Sequence, residues 1–193
     1  MKKWNIKQSN QKQQKELSNS LGISSIVAQL LINRGIADSD HAKSFLRSNV
    51  SELYNPFLMG GMHEAVSRIK RAIEKKQKVF IHGDYDVDGI TAIALLMFTL
   101  RNFELDPYYY VPDRLTEGYG LSEAGVKKAI EIGAELVITV ECGISSHEEV
   151  KDLSFHGIDV IVTDHHEVPK LLPPAYAIIN PLRQTCFYPD KNL

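Results

Sequence analysis

Three carboxylates and one imidazole follow a short apolar run at positions 79–81 of the chain. They are His82, Asp84, Asp86 and Asp88. Carboxylates at this spacing repel one another, and keeping several of them ionised requires a cation that neutralises them. Carboxylate oxygens and imidazole nitrogens are also common ligands of divalent metal ions. The segment therefore predicts a metal site.

A second cluster of the same residue types, Asp164-His165-His166, follows the largely apolar run 159–163. If both apolar runs are strands, two sets of ligands stand at the ends of strands in one sheet. Paired metal sites of this kind position and activate the oxygens of a phosphate ester. The two clusters together favour a two-metal centre over a single ion.

Other acidic and glycine-rich motifs fit this sequence poorly. A calcium loop that began at Asp84 would need Glu at its twelfth position, where the chain has Leu95. An aspartyl-phosphate phosphatase would need Thr where Ile90 stands. No phosphate-binding glycine loop of the nucleotide-hydrolase kind is present, and Gly118-x-Gly120 lacks the third glycine of a dinucleotide site. A phosphate group bound by this chain would therefore be bound through metal.

The second two thirds of the chain alternate between strand and helix patterns. Strands are predicted at 78–82, 107–111, 136–140, 158–163 and 176–179, and helices at 90–102, 122–132 and 145–155. This alternation predicts an α/β fold with a parallel sheet and helices on both faces. The polar segments 82–88, 112–120, 141–144 and 164–166 each begin where a predicted strand ends. Open α/β sheets build their sites at that edge.

The first part of the chain is different in character. Residues 1–20 are rich in Gln, Lys, Ser and Asn, which predicts a mobile arm. Helical spacing of apolar residues predicts helices at 24–34, 39–47 and 62–76, with a break at Asn55-Pro56. We therefore expect a polar arm and helical N-terminal cap over residues 1–60 and a catalytic core over residues 61–193.

Composition indicates a chain that folds around a substantial core and stays in the cytoplasm. The 193 residues are 44% hydrophobic, without a signal segment or an apolar run long enough for a membrane span. Two cysteines do not make a disulfide framework. The formal net charge of −2 lacks the basic excess of proteins that hold nucleic acid by charge alone. The lysines and arginines cluster at 2–15 and at 68–78, and such clusters are typical of solvated helix faces.

These motifs resemble those of the DHH phosphoesterase superfamily, whose name describes the triplet Asp164-His165-His166. His82-x-x-x-Asp86-x-Asp88 fits the first motif of that superfamily, and its form here resembles the RecJ family of single-strand-specific exonucleases. The resemblance extends from about Ile23 to the last residue. Further segments that carry it are 34–36, 111–114, 117–121, 139–144 and 179–181.

The resemblance, combined with ligand chemistry, implies two Mn²⁺ or Mg²⁺ ions. His82 and Asp86 are expected to bind one ion, and Asp88 and His165 the other. Glu141 stands where the family has an Asp that bridges both ions, so one extra methylene lies at that position.

The remaining site residues are assigned in the same way. His166 is expected to face the scissile phosphate, with Asp164 beside it in the catalytic motif, and Asp84 to orient the ligands from behind them. Arg114 has a planar fork suited to phosphate oxygens, and the resemblance implies that it holds the 5′-terminal phosphate. The expected substrate-binding residues are Arg114, Gly118, Tyr119 and Gly120.

The resemblance implies 5′-to-3′ hydrolysis of single-stranded DNA, in repair and recombination, by metal-activated water. Single-stranded DNA is the expected partner, followed by other repair or recombination proteins, and no membrane. The chain stops at Leu193, before the family's next metal-binding Asp and its later domains. We therefore expect an N-terminal portion that has little or no activity alone.

Two alternatives remain open at this point. The chain could be a phosphodiesterase of the same superfamily that degrades short RNA or cyclic dinucleotides, although the front helices and the segment 117–121 argue against it. It could also be a non-catalytic scaffold of the same fold, because of Glu141 and the end at Leu193. Metal-dependent turnover of 5′-labelled single strands would discriminate among the three.

Overall fold

A computed structural model describes residues 10–47 and 53–191, which divide after Leu53 into two compact units. The first unit consists of three helices, α1 (Gln11–Leu21), α2 (Ser25–Asn33) and α3 (Ser39–Leu46). Each helix begins after a residue whose side chain accepts a hydrogen bond from a backbone amide of the first turn, as helix N-caps do. The helices at 24–34 and 39–47 are confirmed.

The predicted mobile arm is wrong for residues 11–20, which belong to α1. Asn10 caps this helix, and Gly22 ends it in the left-handed conformation. Leu17 is buried in a small apolar cluster with Ala28 and Leu31 of α2. This tertiary packing stabilises a helix whose polar composition gives little sign of it. Residues 1–9 lie outside the described residues.

The second unit is a five-stranded parallel sheet with helices on both faces, as the sequence predicts. The strand order is β2-β1-β3-β4-β5. The strands are β1 (Val79–Gly83), β2 (Tyr108–Tyr110), β3 (Leu136–Val140), β4 (Asp159–Thr163) and β5 (Ala177–Ile179). The helices are α4 (Met62–Glu74), α5 (Val87–Asn102), α6 (Glu123–Glu131) and α7 (His147–Phe155), and a short 3₁₀ turn, Pro56–Leu58, precedes them.

Each face of the sheet has its own core because neighbouring residues of a strand point to opposite faces. Ile81 of β1 packs in the cluster that α4 and α5 cover, whereas Phe80 packs in the cluster that α6 and α7 cover. Both faces are therefore buried, and β1 and β3 are buried along their whole length.

A buried arginine closes the edge of the sheet where the strands begin. Arg68 of α4 is 2% exposed and reaches Asp159 at the start of β4, with Nε 2.5 Å from Oδ2. Its other two nitrogens donate to the Gln77 side chain at 2.8 Å and to the Glu135 carbonyl at 2.9 Å. This end of the sheet is structural, and the opposite end is free to carry a site.

The start of one helix differs from the prediction. Helix α5 begins at Val87, three residues before the predicted start, so that Asp88 lies in its first turn.

No helix in the ranges 10–47 and 53–191 is long and apolar enough to cross a membrane.

Candidate metal centre

The turn between β1 and α5 is shaped by its acidic residues and one glycine. Asp86 is the N-cap of α5, and its Oδ1 accepts a hydrogen bond of 2.9 Å from the Gly89 amide. A Cβ at Gly89 would lie 2.4 Å from the Asp84 carbonyl oxygen, so only glycine allows this close turn. Asp86 and Asp88 stand at the N-terminus of α5, where the helix dipole is positive. The turn thus holds three acidic residues at the carboxyl end of β1.

Asp84 carries a buried carboxylate oxygen without a partner. The residue is 5% exposed, and its Oδ1 makes no hydrogen bond within the described part of the chain. A buried charged oxygen that lacks a partner is costly unless a cation or a proton compensates it. The buried Oδ1 of Asp84 therefore fits a site that binds a cation.

Glu141 follows β3 in a strained backbone conformation, with φ of 60°. Its Oε2 lies 3.0 Å from Nε2 of His165. Burial raises the pKa of Glu141, and the charges of Asp88, Asp164 and Asp86 raise it further, while His165 acts in the opposite direction. The net result is a pKa above the ordinary value for Glu. The charged residues after β1, β3 and β4 therefore lie close enough to influence one another's charge.

Asp164 is the buried anchor of the segment after β4. Its Oδ2 accepts a hydrogen bond of 2.9 Å from the Ile144 amide, and its Oδ1 lies 2.7 Å from Nδ1 of His166. The Tyr119 hydroxyl lies 2.7 Å from the same nitrogen and donates to the Glu141 carbonyl at 3.0 Å. These contacts assign the proton of a neutral His166 to Nδ1 and leave Nε2 with its lone pair.

His82 lies within the protein rather than at an open edge. Its side chain is buried, its Nε2 accepts a hydrogen bond from the Ser122 amide at 3.4 Å, and Cys142 Sγ lies 3.8 Å from Nδ1. Burial lowers its pKa to about 4, so the ring is neutral. Gly125 of α6 packs against the ring, and only glycine fits there, because a Cβ at this position would lie 2.5 Å from the His82 ring. Metal binding by His82 would require one of its ring nitrogens to exchange its present neighbour.

The structure thus brings most of the predicted site residues to one edge without a finished metal site. Electrostatic and direct contacts connect Asp84, Asp86, Asp88, Glu141, Asp164, His165, His166 and Tyr119. Across residues 10–47 and 53–191, no three His, Cys, Asp or Glu side chains are arranged to hold an ion. The individual ligand assignments therefore stay predictions.

The predicted substrate-binding residues lie on the loop between β2 and α6. The guanidinium carbon of Arg114 lies 5.2 Å from the ring centroid of Tyr85, a cation–π distance. Gly118 and Gly120 have φ of 80° and 105°, which the bends around Tyr119 require. Tyr119 itself contacts His166, so this loop reaches the catalytic motif.

Some groups at this edge were not identified from the sequence. Tyr85 pairs with Arg114, although the two are distant in the chain. Glu117 accepts hydrogen bonds from Tyr110, Asp113 and Ser122, at the two ends of the loop and within it. Two signals pointed to Glu117: it begins the segment 117–121, which carries the family resemblance, and it stands in a loop before the N-cap Ser122, where amides and hydroxyls can bind a carboxylate.

Comparison with known proteins supports the family resemblance. Residues 78–187 match the family described as "DHH family, N-terminal domain". The chain is 41% identical over 191 residues to the single-stranded-DNA-specific exonuclease RecJ of Bacillus subtilis (strain 168), covering 99% of this chain and 24% of that protein. RecJ of Haemophilus influenzae is 39% identical over 178 residues, covering 92% of this chain and 30% of that protein.

Solved structures show the same similarity. A crystal structure of exonuclease RecJ bound to manganese matches with a TM-score of 0.61 and 36% identity, over 66% of this chain and 32% of that one. RecJ from Thermus thermophilus in complex with Mn²⁺ matches with a TM-score of 0.66 and 27% identity, over 97% of this chain and 25% of that one. The chain spans less than a third of the length of the relatives from Bacillus subtilis and Haemophilus influenzae.

Proposed function

The chain belongs to the DHH family, and from that membership we propose that it is the N-terminal part of a metal-dependent exonuclease. The proposed reaction is hydrolysis of single-stranded DNA from its 5′ end. Its relatives from two bacteria are named single-stranded-DNA-specific exonucleases, and the sequence similarity covers nearly all of this chain. The phosphoesterase core would occupy residues 61–193, as the sequence predicts.

The observation that carries this proposal is the buried Oδ1 of Asp84, which has no hydrogen-bond partner among residues 10–47 and 53–191 and lies within a cluster of acidic residues. Carboxylates and imidazoles suit Mn²⁺ and also accept Mg²⁺. His82, Asp86, Asp88, Glu141 and His165 would hold two such ions. When bound, divalent ions supply a nucleophilic water at neutral pH and stabilise charge on phosphate oxygens.

His166 would serve as the group that faces the phosphate. Its Nδ1 is held by Asp164 and by the Tyr119 hydroxyl, which fixes the plane of the ring. A His oriented in this way has a definite tautomer, and Nε2 can accept a proton or, once protonated, donate to a phosphate oxygen. Asp164 is itself positioned by the Ile144 amide. Asp164 would therefore orient His166 instead of transferring a proton itself.

Arg114 would bind the terminal phosphate of the strand. A guanidinium can donate two parallel hydrogen bonds to phosphate oxygens, and the nearby face of Tyr85 restricts where the guanidinium lies. A preference for a 5′-phosphate would follow from this contact. By the same resemblance, the protein would act in repair and recombination in the cytoplasm, alongside other repair proteins.

The test is metal-dependent turnover by the complete natural protein that carries this sequence. We expect release of nucleotides from 5′-labelled single-stranded DNA with Mn²⁺, and none with a chelator present. Preferential cleavage of short RNA or cyclic dinucleotides would instead favour a different phosphodiesterase of the family. Binding of single strands without turnover would favour a non-catalytic scaffold, which the contact between Glu141 and His165 would then explain.

A further inference from the structure

Glu117 sits at the centre of the loop that carries the predicted substrate-binding residues. Its carboxylate accepts bonds of 2.9 Å from the Tyr110 hydroxyl, 2.9 Å from the Asp113 amide and 2.6 Å from the Ser122 hydroxyl. Tyr110 ends β2, Asp113 lies in the loop that follows, and Ser122 caps α6. One side chain therefore connects the end of β2, the loop and the start of α6.

Glu117 also closes the turn that presents Arg114, through both its backbone amide and its carboxylate. The Glu117 amide donates to the Asp113 carbonyl at 2.9 Å, which pairs the two residues in both directions. Asp113 Oδ1 in turn accepts from the amides of Leu115 and Thr116, each at 2.9 Å. Arg114 lies inside this hydrogen-bonded turn, so the position of its backbone depends on Glu117.

The contacts of Glu117 also reach the buried imidazole of β1. Ser122 donates its hydroxyl to Glu117 and its amide to Nε2 of His82. The ring of Tyr110, the other hydroxyl partner, stacks on His82 with ring centroids 5.5 Å apart. Burial alone would raise the pKa of Glu117, but the hydrogen bonds from Asp113, Ser122 and Tyr110 outweigh it and hold the pKa below the ordinary value. Glu117 is thus an ionised acceptor, and charged acceptors make the stronger hydrogen bonds.

We propose that Glu117 is a positioning residue, which fixes the turn around Arg114 so that its guanidinium meets the 5′-terminal phosphate of the substrate. This inference rests on the proposed function. Glu117 touches neither the substrate nor an ion in this assignment, and it acts through Arg114. A loop held in its binding conformation loses less freedom on binding, which favours affinity for the phosphate over the rate of the chemical step.

The test combines Glu117→Gln with Arg114→Ala in the complete natural protein. For 5′-phosphorylated single strands, we expect Glu117→Gln to raise KM about tenfold and to leave kcat within about threefold. In the Arg114→Ala background, the same change should alter KM by less than about twofold, because residues that act through one another are not additive. Glu123→Gln is the matched control, since that exposed carboxylate pairs with Lys127 on its own helix, and its KM should stay within about twofold of the wild type.

Hydrogen exchange gives a readout that needs no activity. Amides of residues 113–117 should exchange faster in Glu117→Gln, whereas those of α7 should not change. Tyr110→Phe removes one donor to the same carboxylate, and we expect a smaller change in the same direction. This variant provides the test if Glu117→Gln fails to fold. Unchanged exchange in both variants, or an equal KM increase with and without Arg114, would overturn the inference. A wild-type protein without metal-dependent turnover would instead refute the proposed function and with it the substrate role of Glu117.

Discussion

Glu141 Oε2 and His165 Nε2 lie 3.0 Å apart, so two predicted metal ligands contact each other directly. The Glu141 oxygen and the His165 nitrogen that would bind a metal ion therefore contact each other instead. An ion bound by both atoms would take the place of any proton that lies between them. Protonation of either group would compete with the ion for the same lone pairs.

This relationship predicts that Mn²⁺ affinity depends on pH through Glu141. Burial, with Asp88 and Asp164, raises the pKa of Glu141, so its proton must be released at a higher pH than an ordinary Glu would require. Affinity should fall as the pH decreases through that raised pKa. Calorimetry in buffers of different ionisation enthalpy would detect the released proton. Glu141→Gln should lose this pH dependence, and an unchanged dependence in that variant would assign the proton to another group.

The length of the side chain at 141 leads to a second prediction. At a φ of 60°, Asp is better tolerated than Glu, and a bridging carboxylate must be placed to within a fraction of an ångström. We expect Glu141→Asp in the complete protein to raise single-strand nuclease activity at least about tenfold, which equals about 1.4 kcal/mol of barrier. Rates at saturating Mn²⁺ measure it. Equal or lower activity would mean that the loop is already adapted to Glu.

His82 should make the metal-free protein sensitive to acid. Its pKa is 6.5 in an ordinary setting and about 4 in the folded protein because of burial. As the pH falls from 6.5 to 4, His82 binds a proton in the unfolded chain but stays neutral in the folded chain. The free energy of unfolding therefore decreases over this range. This pKa difference corresponds to about 3 kcal/mol.

Urea unfolding at about pH 7 and about pH 4, with a chelator present, measures this effect. The loss of stability between the two values should be smaller by about 3 kcal/mol in His82→Gln than in the wild type. His156→Gln is the control, because that exposed ring pairs with Asp152 on the preceding helix and should change nothing. An identical loss of stability in His82→Gln would contradict burial of a neutral His82.

Arg68 provides a test of the fold that is independent of the site. Arg68→Met would leave the partly buried Asp159 with one ion-pair partner, and it would remove the hydrogen bond to the Gln77 side-chain oxygen and one of the two to the Glu135 carbonyl. Removing one member of a buried ion pair typically costs about 3–5 kcal/mol. Arg71→Met removes the exposed partner of the same carboxylate and should cost less than about 1 kcal/mol. Comparable losses in the two variants would show that burial of Arg68 contributes nothing.

The sheet could be predicted from the sequence because its strands are short apolar runs that recur between helix patterns. The runs that become β3 and β4 are almost continuous Val, Ile and Leu, which is typical of strands buried on both faces. The convergence of the 84–88 and 164–166 segments followed from the same topology. The start of α5 was missed because it depends on Asp86 acting as N-cap rather than as a free loop residue.

Other features depend on contacts that no local pattern contains. The orientation of His82 is set by Ser122 and Gly125, which approach it from a helix about forty residues later in the chain. Glu117 gains its role only when Tyr110 and Ser122 meet around it. Helix α1 forms despite its polar sequence because Leu17 finds a partner in α2. Tertiary packing decides each of these cases, and spacing along the chain cannot.

The most direct measurement is calorimetric titration of Mn²⁺ into this chain and into a variant that lacks two predicted ligands. Asp86→Ser keeps the cap of α5, since Ser caps helices well, and Asp88→Ala removes the second carboxylate. The control carries Asp40→Ala and Asp106→Ala, two exposed acids outside the cluster. We expect micromolar-to-millimolar binding by the wild type and the control, and none by the Asp86→Ser/Asp88→Ala variant. Unchanged Mn²⁺ binding in that variant would contradict a metal centre at the carboxyl end of β1.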